Sequence, residues 1–213
     1  MKDIVLYGAG GLGREVSFLI ERINRKEPTY NLVGFIVDDE YYAEGQNVHG
    51  YPIVGTPQWI IDHRDSVLCT CTIGDPAARE KVQEALEPQG VMFETLISPD
   101  VEIHNTVKIG AGSIISRKVS ITVDVTIGKG VLINESCGIG HDAVIGDYSC
   151  LSGGCGITGY VQIGKRTRIG GKAYFVPHVK VGDDAVVAAG SIVFTKVKPG
   201  THVLGNPAKR IEL

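Results

Sequence analysis

Ile133-Asn134-Glu135-Ser136-Cys137-Gly138-Ile139-Gly140-His141-Asp142-Ala143-Val144-Ile145 is the stretch that decides how this chain is read. Isoleucine recurs at every sixth position, and two residues before each stands a small or β-branched residue: Val131, Cys137, Ala143. The register extends in both directions. Ile103, Ile109, Ile115, Ile121 and Ile127 precede it, and Leu151, Ile157, Ile163, Ile169, Phe175, Val181, Val187 and Val193 follow, sixteen consecutive hexads without a slip. The companion series runs from Val101 to Ser191. Residues two apart on a strand share a face, so each hexad supplies two inward side chains and then turns. Glycine often follows the bulky residue (Gly110, Gly128, Gly140, Gly146, Gly164, Gly170, Gly182), where a corner is expected to need unusual backbone angles. A short strand followed by a corner, repeated in strict register, is the pattern of a parallel β-helix. At three hexads per triangular coil the register predicts about five coils, a prism about 25 Å tall at one strand spacing per coil.

Composition agrees. The chain has 213 residues and 28 glycines, well above the usual share of about 7%, and the glycine comes with many valines and isoleucines. The charge is 21 − 24 = −3, which argues against a nucleic-acid partner, for which a basic excess is usual. The apolar run after Met1 is too short for a signal peptide, and no stretch approaches the length of a membrane span. Five cysteines (69, 71, 137, 150, 155) show no framework spacing, so reduced thiols in a cytoplasm are expected. Cys69-x-Cys71 is not a CxxC pair and no H-x-x-x-x-H occurs, so no metal is expected. Cys137 and Cys155, eighteen residues apart and both inward, should stack on adjacent coils within reach of a disulfide. Small apolar filling is the favoured role for them.

Residues 1–96 read differently. Ile4–Tyr7 is a strand, residues 8–13 (Gly-Ala-Gly-Gly-Leu-Gly) a glycine turn, and residues 14–25 an amphipathic helix with Val16, Leu19, Ile20 and Ile23 on one stripe. A second strand follows over 32–37, then a helix near 57–62, a strand at 67–73 and a helix near 76–86. This alternation predicts a small Rossmann-like parallel α/β domain, followed from residue 97 to 213 by the β-helix. Residues 97–100 form the seam.

Gly8, Gly10 and Gly13 satisfy G-x-G-x-x-G between a strand and a helix, where backbone N–H groups and the helix N-terminus can receive phosphate. Gly10, Gly11, Leu12 and Gly13 are therefore candidate substrate contacts. Asp38 and Asp39, at the tip of the second strand, can bind a ribose hydroxyl. Gly74 ends the third strand on the same sheet edge. With only about 96 residues in this half, a mononucleotide fits better than a dinucleotide, which excludes a nicotinamide-dependent enzyme. In the β-helix, His141 has Asp142 beside it. A histidine at a polar corner is ordinarily just solvated, yet an imidazole next to a carboxylate is also how a general base is oriented. Glu135 is a second acidic candidate. Residues 205–210, Gly-Asn-Pro-Ala-Lys-Arg, form a turn with two cations, a tail that either folds back or contacts phosphate.

Taken together, the unbroken hexads, the Gly-Asn-Pro-Ala-Lys tail, the glycine turn with Asp38-Asp39, and Ile139-Gly140-His141-Asp142 resemble the hexapeptide-repeat acyltransferases. Within these, the chain is similar to bacterial nucleotide-sugar N-acetyltransferases and sialic acid O-acetyltransferases. The resemblance implies a left-handed helix, a homotrimer with active sites between subunits, and acetyl-CoA as co-substrate lying along the prism. It implies His141 as general base, Asp142 as its acidic neighbour, Asn134 near the sugar, and Gly159 as a main-chain contact to the thioester end. Cys150, Gly171, Ala189 and Lys209 are the further cofactor-binding positions it suggests. Many members carry histidine where this chain has Leu12, and a second histidine where it has Cys150. The expected activity is transfer of acetyl from acetyl-CoA to the amine of a nucleotide-linked amino sugar. Transfer to a sugar hydroxyl and a non-catalytic trimeric scaffold are the alternatives.

Overall fold

The computed structural model describes residues 1–212, which divide into two units with the boundary between Leu96 and Ile97. In the first unit, β1 (Lys2–Tyr7), β2 (Tyr30–Ile36), β3 (Asn47–Val48), β4 (Tyr51–Gly55) and β5 (Val67–Cys71) form one sheet in the order β3-β4-β2-β1-β5. β1 pairs in parallel with both β2 and β5, and only the short β3 runs antiparallel. The helices are α1 (Gly11–Lys26), α2 (Pro57–Asp62) and α3 (Pro76–Leu86). Ile4, Val5, Leu6, Phe35 and Ile36 are wholly buried, as expected of a central parallel strand pair covered on both faces.

Two departures from the sequence reading have physical causes. The helix starts at Gly11 rather than Arg14, because Gly10 caps it and its carbonyl takes the Arg14 N–H at 3.1 Å. β4 went unread because Pro52 interrupts it. It joins the sheet because Gly34 lacks a side chain, whose Cβ would lie 2.3 Å from the Pro52 carbonyl oxygen.

In the second unit the hexad register becomes a left-handed parallel β-helix. Two faces carry five strands each: one from Lys108–Ile109 to Lys180–Val181, the other from Ser120–Ile121 to Ile192–Val193. The third face has eight, from Leu96–Ile97 through Ile114–Ile115 to the C-terminal pair His202–Gly205 and Ala208–Ile211. Each strand pairs with the one eighteen residues on, as Ile139 with Ile157 and Ile157 with Phe175. The bulky and small inward residues form one continuous core from Ile115 to Val203. Inward serines are satisfied by corner carbonyls: Ser113 Oγ donates to Gly128 O at 2.9 Å and Ser149 Oγ to Gly164 O at 2.7 Å.

The register is displaced at both ends. Ile103 lies in no strand and is 37% exposed, whereas Ile97, one hexad earlier, is paired within the third face. At the C-terminal end the final turn is two residues short, so Val181 bridges Val197, and Val187 pairs with Val203 sixteen residues on. The tail folds back as an antiparallel hairpin in which Leu204 faces Lys209.

The expectation for the corner glycines is overturned. Gly110, Gly128, Gly140, Gly146, Gly164, Gly170 and Gly182 have no left-handed backbone; that conformation falls two residues later, at Gly112, Gly130, Asp142, Tyr148, Arg166, Lys172 and Asp184. The glycines are needed because adjacent coils touch there. A Cβ on Gly146 would lie 2.6 Å from the Gly164 carbonyl carbon, while the Gly146 N–H to Ile163 O bond of 2.8 Å prevents the coils from separating. Gly146→Ala is expected to lose about 1–3 kcal/mol of stability, the usual range for overpacking. Gly138→Ala, with nothing within 4 Å of the added carbon, should stay within about 0.5 kcal/mol. Urea melts of the two variants beside the parent measure both.

Candidate functional site

Two sets of candidate residues are assembled, one in each unit. In the first, the parallel register Tyr7↔Ile36 and Tyr7↔Cys71 brings the loops after β1, β2 and β5 to one sheet edge. Thr72 Oγ1 donates to the Gly8 carbonyl at 2.7 Å and to Tyr7 O at 3.0 Å, tying β5 to the glycine turn. Gly13 has to be glycine, since its Cβ would stand 2.2 Å from Gly8 O. The third glycine of the fingerprint thus packs the helix onto the strand, and Gly10, Gly11 and Leu12 stand at the helix start with Gly10 and Gly11 exposed. Asp38 accepts a short hydrogen bond from the Tyr7 hydroxyl. Burial, and then that bond, push the Tyr7 phenol well above its ordinary range, so it remains a donor. Asp39 opens an exposed 3-10 turn. Strand β5 stops at Cys71, two residues short of the expected end. The buried Arg79 guanidinium donates to Ile73 O at 2.7 Å and to Gly74 O at 3.1 Å, fixing the Gly74 loop, and Asp75 caps α3 through Ala78 N at 2.9 Å.

The second set lies on the corners of the β-helix. His141 and Gly159 occupy the same corner position on consecutive coils, followed by Asp142 and Tyr160, whose backbones are left-handed at φ 59° and 62°. His141 Nδ1 meets Asp142 Oδ2 at 2.8 Å. The imidazole lies over Gly159, where a Cβ would be 2.7 Å from Nε2 and 2.8 Å from Cε1. With Nδ1 engaged by the carboxylate, Nε2 is the nitrogen left to act as a base. Two aromatic neighbours complete this edge: Tyr160 meets His141 edge-on with centroids 5.1 Å apart, and His178 stacks on Tyr160 at 4.8 Å.

Glu135 does not join His141. It sits on a different edge, where the Arg117 guanidinium donates to it at 2.6 Å. Gly171 and Ala189 occupy that same edge at eighteen-residue spacing, with Asn134 just before Glu135; its coils are joined by Lys172 N–H to Gly153 O at 3.0 Å and Gly190 N–H to Gly171 O at 2.9 Å. Between the two edges lies a face whose outward residues include Gly138 and Gly156. Cys150 is half-buried on the face before the Glu135 edge, and Lys209 is exposed on the terminal hairpin. Cys137 and Cys155 both donate to Ser152 O, at 3.2 and 2.9 Å, and fill the core as thiols. The neighbouring Cys137 thiol, with burial, pushes Cys155 above the ordinary range.

Sequence reasoning missed several residues. Tyr7, Tyr160 and His178 act through contacts that only the folded sheet and coils create. So do Lys180 and Lys196, which with Val144, Gln162 and Pro199 line a groove of about 420 Å³. Among the described residues there is no cluster of three or more His, Cys, Asp or Glu placed to hold a metal ion, and no helix is long and apolar enough to cross a membrane.

These two halves match two family models: the PglD N-terminal domain over residues 3–86 and the GMPPB C-terminal domain over residues 97–200. The chain as a whole resembles the nucleotide-sugar N-acetyltransferases built on hexapeptide repeats. The acetyltransferase domain of PglB from Neisseria gonorrhoeae FA1090, solved in complex with acetyl coenzyme A, has a TM-score of 0.88 at 26% identity, over 99% of both chains. WeeI from Acinetobacter baumannii AYE gives 0.85 at 29% identity, over 99% of this chain and 100% of that one. A histidine-to-alanine mutant of GDP-perosamine N-acetyl transferase from Caulobacter crescentus, in complex with CoA and GDP-perosamine, gives 0.73 at 25% identity, over 100% and 98%. No curated protein matches the chain by sequence.

Proposed function

We propose that this protein is an acetyl-CoA-dependent sugar acetyltransferase that acetylates the amine of a nucleotide-linked amino sugar, with His141 as general base. One observation carries the reading: an imidazole held at Nδ1 by Asp142 and laid on the bare backbone of Gly159, with Nε2 left to take a proton. The likeness to an acetyltransferase domain solved with acetyl coenzyme A, and to one solved with CoA and a nucleotide amino sugar, supports it.

The acceptor's nucleotide is assigned to the first unit. The glycine turn and the start of α1 offer backbone N–H groups to the diphosphate, and Asp38, oriented by Tyr7, takes a ribose or base donor, with Asp39 and the Gly74 loop beside it. At the acetyl site, His141 Nε2 removes the amine proton as nitrogen attacks the thioester carbonyl, and the Asp142 carboxylate stabilises the imidazolium that forms; the C–S bond then breaks and the imidazolium returns the proton to the departing CoA sulfur, giving the amide and free CoA thiol. The ladder at this corner uses the N–H groups of Gly140 and Tyr160, which leaves the Gly159 N–H outside it as a donor to the developing oxyanion. Acetyl-CoA supplies the activated acyl group. The donor set suits it: flat glycine backbone for a thin thioester arm, and the cations Lys180, Lys196 and Lys209 for its phosphates.

A homotrimer is part of the proposal. Gly159 stands on the His141 edge, whereas Gly171, Ala189 and Asn134 stand on another, with a whole face between. One prism cannot close both around a single ligand, but the His141 edge of one copy against the other edge of the next can. The reading also places the protein in the cytoplasm, where acetyl-CoA and nucleotide sugars are made.

The test is thiol release from acetyl-CoA with a panel of nucleotide-linked sugars, GDP-perosamine among them, and with the matching hydroxyl sugars. Turnover with amine acceptors supports the proposal. Turnover confined to hydroxyl acceptors would move the protein to O-acetylation, and failure to bind CoA at all would make it a scaffold.

A further inference from the structure

His141 is half exposed, so little packing holds its ring. Asp142 fixes one nitrogen, and Gly159 provides a flat floor without any side-chain wall. The remaining restraint is aromatic. Tyr160 stands perpendicular to the imidazole at 5.1 Å, and His178, one coil further, lies parallel to Tyr160 at 4.8 Å with an interplanar angle of 5°. Three rings therefore stand in a row along one edge, in steps of one coil. The coil ladder sets the row: Tyr160 N–H donates to His141 O at 3.0 Å and His178 N–H to Gly159 O at 3.2 Å. Tyr160 and His178 both sit in the left-handed region, φ 62° and 66°, which bulky residues adopt reluctantly, so ring and backbone are fixed together.

We infer that Tyr160, backed by His178, is a positioning residue for the His141 imidazole and acts through its ring rather than its hydroxyl. This rests on His141 being the base. Without the Tyr160 ring the imidazole can swing along the edge and off the Asp142 carboxylate, so both the fraction of time Nε2 spends over Gly159 and the bias toward the Nδ1–H tautomer fall. Edge-to-face ring pairs contribute modestly, but small displacements of a reacting group are costly to rate. The expected loss for Tyr160→Ala is about tenfold in kcat with KM for acetyl-CoA within about twofold. Tyr160→Phe should retain the parent rate, and His178→Ala should fall between.

A readout independent of any acceptor comes from the ¹⁵N imidazole resonances of His141 in the full-length protein, assigned by their loss in His141→Ala. The parent and Tyr160→Phe should show one Nδ1–H tautomer. Tyr160→Ala should show shifts averaged between the Nδ1–H and Nε2–H tautomers, with its thermal melt unchanged. A Tyr160→Ala spectrum identical to the parent's overturns the inference, as does loss of the single tautomer in Tyr160→Phe. Should His141→Ala turn over at the parent rate, the base assignment falls instead, and the spectra still decide whether Tyr160 holds the ring.

Discussion

His141→Ala is expected to lower kcat by about 10²- to 10⁴-fold, the usual worth of a general base, while KM for acetyl-CoA changes little. The reasoning is geometric. Nothing in the His141 surroundings suggests a role in stability: the side chain is 54% exposed, and its ion partner Asp142 is itself 41% exposed. Removal should therefore leave the fold intact, and the loss should fall on the chemical step. Asp142→Asn keeps the shape but offers no negative charge to the imidazolium, so it should lose less than His141→Ala and more than nothing. Steady-state kinetics of both variants against the best amine acceptor measure this. A kcat for His141→Ala within threefold of the parent would assign proton removal to another group or to water.

Phe175→Ala should be the most damaging single truncation of the β-helix core. Phe175 is wholly buried and stacks between Ile157 and Val193 on neighbouring coils. Deleting its ring opens a cavity that the surrounding ladder, with bonds such as Gly156 N–H to Ala173 O at 2.9 Å, cannot collapse to fill. The expected cost is about 3–5 kcal/mol. Phe175→Leu, which keeps most of the volume, should cost less than about 1.5 kcal/mol. Because each coil contacts only its neighbours, the Ala variant should fray from the C-terminal end before the whole unfolds. Hydrogen exchange across residues 180–205 would reveal this as faster exchange there than at residues 126–145. Uniform exchange would mean that the prism unfolds as one body.

The β-helix was legible because its signal is a period, and a period survives without any knowledge of neighbours. Every inward residue from Ile109 to Val193 could be placed by counting. What counting misses are events at the ends, such as the unpaired Ile103 and the sixteen-residue last turn, where the absent neighbour decides the outcome. It also misassigned the corner glycines: sequence shows that glycine is present, but not whether it bends the chain or admits the next coil. The Rossmann-like unit was legible from its glycine turn and alternating elements, while β4 was hidden by Pro52 and became a strand only through Gly34. Among the candidate site residues, His141 and Asp142 were adjacent in sequence and easily paired. Tyr160 and His178 belong to the same edge only because they are nineteen and thirty-seven residues on, about one and two coils. Glu135, close in sequence, is carried to another edge by a single turn.

The corners also say something about how such a chain can change. Strand residues are committed to the core, and a glycine that begins a corner is committed to the coil above it. The two following positions, His141-Asp142 on one coil and Gly159-Tyr160 on the next, owe the core no side chain. Chemistry is thus written in dipeptides on a frame that repeats by pure translation. Such a dipeptide could be transplanted one storey up or down, or a whole storey added, without redesigning a strand. A change of acceptor in proteins of this build would then be a matter of which storey carries the histidine, with the frame acting as a ruler.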